Sequence, residues 1–193
     1  MALNRILFWL GRTFILCSGL YFVCVLVALL GQDVPSAVIV TASGVSVGVL
    51  GLLLVMLSGG SKTRESKSEA LLFLVLFWLL MPAVLALPFR FIGPSSSLLA
   101  AYFESVSAFT TTGASRLNPD ELSPTLLFWR SLIQWIGGVS VATFAIVILA
   151  AVNQTGTGIH KSMLYTVRRG ELFSRLIGIG QLVAGIYLFL SLL

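Results

Sequence analysis

Six consecutive residues, Thr110-Thr111-Thr112-Gly113-Ala114-Ser115, form a short polar strip in a chain that is 58% hydrophobic. The chemistry such a strip offers is oxygen. A dehydrated cation needs a cage of oxygens, and backbone carbonyls replace its water shell where several point at one axis. Thr111, Thr112, Gly113 and Ala114 are the candidate carbonyl donors, with Thr110 leading into them. Gly113 allows a backbone conformation that a residue with a Cβ resists, so neighbouring carbonyls can turn inward. The threonine hydroxyls either hold the loop or face the ion. One strip is one wall of such a cage; the others must come from repeats or subunits. The competing reading is a plain polar turn between two helices.

Two charged residues stand near the strip in sequence. Glu104 precedes it, and Arg130 lies about two turns into the next long apolar segment. Either is costly inside a membrane unless paired or watered. A mutual Glu104–Arg130 pair would tie the two segments together; alternatively Glu104 lowers the energy of a cation at the mouth. Arg116 and Asp120 read as solvated loop charges. Other chemistries lack their residues. The single histidine, His160, reads as an interfacial residue, and no His/Cys/carboxylate cluster has metal spacing. Ser105, Ser107 and Ser115 have no base within reach, which excludes a serine hydrolase. Cys17 and Cys24, seven apart on one helix, are about 10 Å apart, too far for a disulfide, and read as small packing residues.

The elements around the strip decide what it can be. Leu98 to Phe109 is apolar and about 12 residues long, roughly 18 Å of helix against a hydrocarbon core of roughly 30 Å. A longer apolar segment precedes it and another follows. Helix, half-helix, polar strip, helix is the layout of a re-entrant pore loop, because non-helical backbone at membrane depth is tolerated only where it is buried in protein or lines a watery cavity.

The whole chain reads as an all-α membrane protein of five transmembrane helices plus this re-entrant half-helix and filter loop. Mean hydropathy is +1.03, and only 10% of its 193 residues are charged, against about 25% in soluble domains. Residues 1–58 form a two-helix membrane segment with spans at about Leu7–Leu30 and Ser36–Leu57. In the second, Gly44, Gly48 and Gly51 allow close helix approach, either within the bundle or to another copy. Residues 59–69 form a polar linker and 70–152 the helix–pore loop–helix repeat. Its first span runs from Ala70 to Leu87, with Pro82 inside it and Pro88 to Pro94 closing it. Ser95, Ser96 or Ser97 caps the half-helix, and Ser123 with Pro124 starts the next span. Gly137 and Gly138 mark a hinge or a close-packing point there. Residues 153–171 form a connector and 172–193 a fifth span. Trp9, Trp78 and Trp129 read as interface or packing aromatics. The last span ends without a polar flank, so we expect the N-terminal part of a longer protein.

Charge sets the orientation. Arg5, Arg12, Lys62, Arg64, Lys67, Lys161, Arg168, Arg169 and Arg175 fall on one side, and only Arg90 and Arg116 on the other. The positive-inside rule then makes the N-terminus, linker and connector cytoplasmic. The strip is entered from outside. The half-helix points the negative end of its dipole into the membrane, which favours a cation below the strip.

These residues also carry a resemblance. Phe103 to Ala114 resembles the first pore loop of the TrkH/KtrB/HKT superfamily of potassium uptake proteins. Phe128 to Gly138 resembles the start of the helix after it, and Ala86-Leu87-Pro88-Phe89 the end of the helix before it. The two extra N-terminal helices are similar to the TrkH branch. The resemblance implies four helix–half-helix–helix repeats in one chain around a pseudo-fourfold pore. It implies potassium uptake through carbonyls of Thr111, Thr112, Gly113 and Ala114, supported by Glu104 and Arg130, with K+ as the transported ion and no organic cofactor. It further implies ion symport in a bacterial inner membrane, a homodimer, and a cytoplasmic nucleotide-binding regulatory subunit of the RCK type. The chain holds one such repeat and the first helix of a second. A non-conducting subunit beside a complete transporter, or a pore formed by homo-oligomerisation, are the rival expectations.

Overall fold

The computed structural model describes residues 2–59, 67–94, 97–153 and 172–191. Every helix and strand assigned among them is helix, in the order α1 (Ala2–Leu30), α2 (Val34–Leu57), α3 (Lys67–Leu85), α4 (Leu87–Phe91), α5 (Leu98–Phe109), a 3₁₀ turn (Pro119–Glu121), α6 (Pro124–Asn153) and α7 (Leu172–Ser191). Three stretches are long and apolar enough to cross a membrane: Leu3–Leu30, Val34–Leu57 and Leu72–Phe91. Most of the expected linker, the connector with His160, and Ser95 and Ser96 lie outside the described residues. The chain divides into two compact units, residues 1–133 and 134–193.

In the first unit α1 and α2 form a hairpin. Asp33 caps α2: its Oδ1 accepts from the Ser36 N–H at 3.2 Å, and Pro35 occupies the first turn, where no N–H is missed. Its Oδ2 accepts from the Thr125 hydroxyl at 2.9 Å, tying the hairpin turn to the start of α6. Hydrogen bonds from Ser36, from Thr125 and from the Ser36 backbone hold the Asp33 carboxyl below its ordinary range against partial burial. Along the hairpin the glycines serve contact within the chain. A Cβ on Gly51 would lie 2.7 Å from the Gly11 carbonyl oxygen, and one on Gly44 would lie 2.6 Å from the Tyr21 Cβ. The small-residue stripe of α2 therefore faces α1, with Gly48 against Ser18. Cys17 and Cys24 are free and buried in the same core.

The third span departs from its expected Ala70–Leu87 boundaries. It begins at Lys67, breaks at Ala86 and resumes as α4 through Phe91. Proline chemistry explains the break. Pro88 has no N–H to give the Val84 carbonyl four residues back. That carbonyl instead accepts from the Tyr21 hydroxyl at 2.5 Å, and the next, Leu85, accepts from the Trp129 indole N–H at 3.1 Å. Tyr21 and Trp129 are both fully buried, with ring centroids 4.4 Å apart. Trp129 is thus a core residue that satisfies a broken helix, and not an interface aromatic. At the opposite end of the bundle, Arg5 of α1 pairs with Glu69 of α3.

In the second unit a Cβ on Gly138 would lie 2.7 Å from the Tyr187 hydroxyl, so this glycine is a close-packing point for α7. Trp135 donates to Ser191 at 3.1 Å beside the Tyr187 ring.

Substituting glycines of α1 and α2 should separate packing from propensity. Gly51→Ala must displace backbone and is expected to lower stability by about 1–3 kcal/mol. Gly19→Ala, with open space around its Cβ, is expected to gain up to about 1 kcal/mol of helix propensity. Thermal midpoints in detergent check both signs. Because the Asp33 carboxyl is depressed in the folded protein, its contribution is present above its unfolded pKa of about 3.9 and fades as pH falls through the lower folded value. Asp33→Asn should flatten that part of the acid-stability profile.

Candidate functional site

The site is built on α5. Ser97 caps it, its Oγ accepting from the Ala100 N–H at 3.4 Å. Twelve residues later the helix ends, as its short apolar run predicts. Its C-terminal turn is seated by Phe109, which is buried against Phe77 and Trp78 at 5.8 and 5.0 Å between centroids. Tyr102 donates to the Leu79 carbonyl at 3.1 Å. These contacts fix where the chain leaves the helix.

Past Phe109 the backbone takes two left-handed residues on either side of Thr112. Thr111 has φ +58° and Gly113 has φ +78°. For glycine this costs little, but for a β-branched residue it is strain of about 1–3 kcal/mol, and it persists only where the surroundings impose it. The surroundings do so. The Thr111 N–H donates to Ala108 O at 3.0 Å, and the Gly113 N–H reaches back to Ser107 O at 3.2 Å. The Thr110 hydroxyl bonds Val106 O and the Thr112 hydroxyl, each at 2.8 Å.

The charged residues clamp the next four positions. Glu104 is 1% exposed. Its Oε1 accepts from the Arg116 N–H at 2.6 Å, and its Oε2 accepts from the Ser115 hydroxyl at 3.0 Å. Arg130 Nε lies 3.6 Å from the same Oε2, an ion pair rather than a hydrogen bond. One Nη of Arg130 donates to the carbonyls of Gly113 at 3.0 Å and Ala114 at 3.4 Å. The Ala114 carbonyl also accepts from Ser107. A buried carboxylate is tolerated because its oxygens are all engaged.

The structure therefore gathers Thr110 to Ala114, Glu104 and Arg130 into one cluster, and it differentiates among them. The carbonyls of Gly113 and Ala114 are already hydrogen-bonded. Among the described residues nothing donates to the carbonyls of Thr111 and Thr112, and both residues are exposed. Sequence reasoning missed Ser107 and Ser115 as braces, having weighed them only as nucleophiles. The signal was available in their spacing: Ser107 lies three residues after Glu104, one helical turn along the same face. Ser105 is buried with no hydrogen-bond partner among the described residues. Arg116 joins the site through its backbone, while its side chain is exposed.

The chain as a whole is similar to known cation transport proteins. The family TrkH, described as a cation transport protein, aligns with residues 36–192. The Trk system potassium uptake protein TrkH of Escherichia coli (strain K12) is 33% identical over 163 residues, covering 83% of this chain and 33% of that protein. TrkI of Halomonas elongata is 41% identical over 75 residues, 38% of this chain and 15% of the relative. The crystal structure of the potassium transporter TrkH from Vibrio parahaemolyticus superposes with a TM-score of 0.80 at 27% identity, covering 100% of this chain and 38% of that one. The chain spans about a third of the length of the relatives that it matches most extensively.

Removing the buried carboxylate should release the loop. Glu104→Ala leaves Arg130, the Ser115 hydroxyl and the Arg116 N–H without their acceptor, and is expected to cost about 3–5 kcal/mol. Gly113→Ala, with open space around its Cβ, should cost only the left-handed backbone, about 1–2 kcal/mol. Thermal midpoints, with limited proteolysis across residues 110–116, check the order.

Proposed function

This chain belongs to the TrkH family of cation transport proteins, and from that membership we propose that it forms the first pore repeat of a Trk-type potassium transporter. The family is a membrane cation transporter and not an enzyme. The chain is a multi-pass, all-helical membrane protein. One observation carries the reading: a half-length helix delivers a Thr-Thr-Thr-Gly-Ala strip, exposed from Thr111 on and left-handed at Thr111 and Gly113, in which the Thr111 and Thr112 carbonyls are unengaged while a buried carboxylate and an arginine hold the residues that follow. Such a strand supplies oxygens in place of the hydration shell of K+.

In this reading residues 110–115 are one strand of the filter, Thr110 to Ala114 line the ion path, and Glu104 and Arg130 support it. Residues 1–58 are the two N-terminal helices, 70–152 the first repeat and 172–193 the opening helix of the next. The nine-to-two split of basic residues favours a cytoplasmic N-terminus in a bacterial inner membrane, with the strip entered from outside. The further strands belong to sequence corresponding to the remaining length of the relatives. Dimerisation, ion symport and a cytoplasmic regulatory subunit of the RCK type follow from the family resemblance and are part of the same proposal.

Growth at low external potassium tests it, in a bacterial strain lacking its own uptake systems. The 193-residue chain is compared with a version extended by the downstream reading frame. The extended form should restore growth, the short form should not, and Gly113→Asp should abolish rescue. Growth restored by the short chain would identify a homo-oligomeric pore instead, and no rescue by either form would reject the transport reading.

A further inference from the structure

The strip divides into two halves by what its carbonyls touch. Residues 113 to 116 are all fastened to α5 or α6: Gly113 O and Ala114 O by Arg130, the Ser115 hydroxyl and the Arg116 N–H by Glu104. Thr111 and Thr112 are fastened only from their N-terminal side, by the Thr111 N–H and the Thr110 hydroxyl, and their carbonyls meet no donor among the described residues. Arg130 reaches two carbonyls from one nitrogen while its Nε sits beside Glu104. Lysine cannot reproduce this, because it presents a point charge without the planar fork.

We propose that Arg130 is a positioning residue that sets ion specificity by drawing the Gly113 and Ala114 carbonyls toward α6, leaving Thr111 and Thr112 as the ion-facing carbonyls of this strand. The inference rests on the reading of residues 110–115 as a filter strand. Its physical basis is the number and field strength of the coordinating oxygens, which govern discrimination between K+ and Na+. A carbonyl that accepts a charge-assisted hydrogen bond is fixed in direction and has less electron density to offer an ion. With the guanidinium removed, the Gly113 carbonyl is free to swing to the pore axis while the Ala114 carbonyl keeps only its bond from Ser107, and the strand presents a different and softer set of ligands. Glu104 serves the arginine by balancing its charge at a site where side-chain exposure is 20% for Arg130 and 1% for Glu104.

The test measures radioactive rubidium and sodium uptake in whichever form of the protein supports growth, with membrane protein levels determined in parallel. Arg130→Gln and Arg130→Lys should each lower the rubidium-to-sodium ratio by about tenfold or more. The double variant Glu104→Gln with Arg130→Gln guards against a folding failure, because it removes both charges of the pair together. It should be inserted at normal levels and still show the lowered ratio. A wild-type ratio in the double variant would mean that the pair acts only as a structural ion pair, and the proposal would fall. Gly113→Ser separates the two levels of inference. If it alters the ratio while the Arg130 variants do not, the arginine proposal fails and the filter reading stands. If neither Gly113→Ser nor the Arg130 variants alter the ratio, both fail.

Discussion

A carboxylate buried within a membrane-spanning bundle must be fully engaged, and Glu104 meets that demand with the loop after the strip. The cost of an ionised group out of water is several kcal/mol unless charge and hydrogen bonds compensate. Here the compensation comes from Ser115, from the Arg116 N–H and from Arg130, which are residues the site needs in place. The penalty for leaving Glu104 unsatisfied therefore becomes the force that holds residues 113 to 116 in register. The left-handed Thr111 is held from the other direction by the end of α5, and its strain is tolerated because the chain on both sides is over-determined.

The platform beneath this loop depends on a second unsatisfied group. Pro88 breaks the third span, and the carbonyls of Val84 and Leu85 would be stranded in an apolar interior. Tyr21 from α1 and Trp129 from α6 donate to them. Those two bonds lock three helices at one level. They place α6 so that Arg130, one residue after Trp129, emerges beside the strip. Asp33 adds a further tie between the α1–α2 turn and the first turn of α6. Hydrogen bonds between helices, more than apolar burial, carry the specificity, as expected where the lipid is as apolar as the side chains.

Long apolar runs, a half-length run before a polar strip, and the Ser123-Pro124 start of α6 were all readable in the amino-acid sequence, because helix length and capping are local properties. The opposite charges of Glu104 and Arg130 suggested a pair on chemistry alone. The residues that hold the strip were less legible. Ser107 and Ser115 look like any small polar residues, and Trp129 reads equally as an interface or a packing aromatic until its N–H is found on Leu85. The glycines of α2 left open whether they meet α1 or another copy, and the structure sets Gly51 against Gly11.

By itself the sequence indicated the all-α membrane class, the order of the described helices, the too-short α5 and the candidate oxygens of Thr110 to Ala114. These follow from hydrophobic length and from local backbone chemistry. Only the tertiary structure decided which carbonyls Arg130 takes, which N–H and hydroxyl Glu104 takes, that Thr111 is left-handed, and that the third span breaks at Ala86 with its carbonyls satisfied from α1 and α6. The physical reason is that a hydrogen-bond partner 63 or 44 residues away is selected by where helices pack. Packing is a competition among many nearly equal apolar contacts, which the unsatisfied polar groups finally settle.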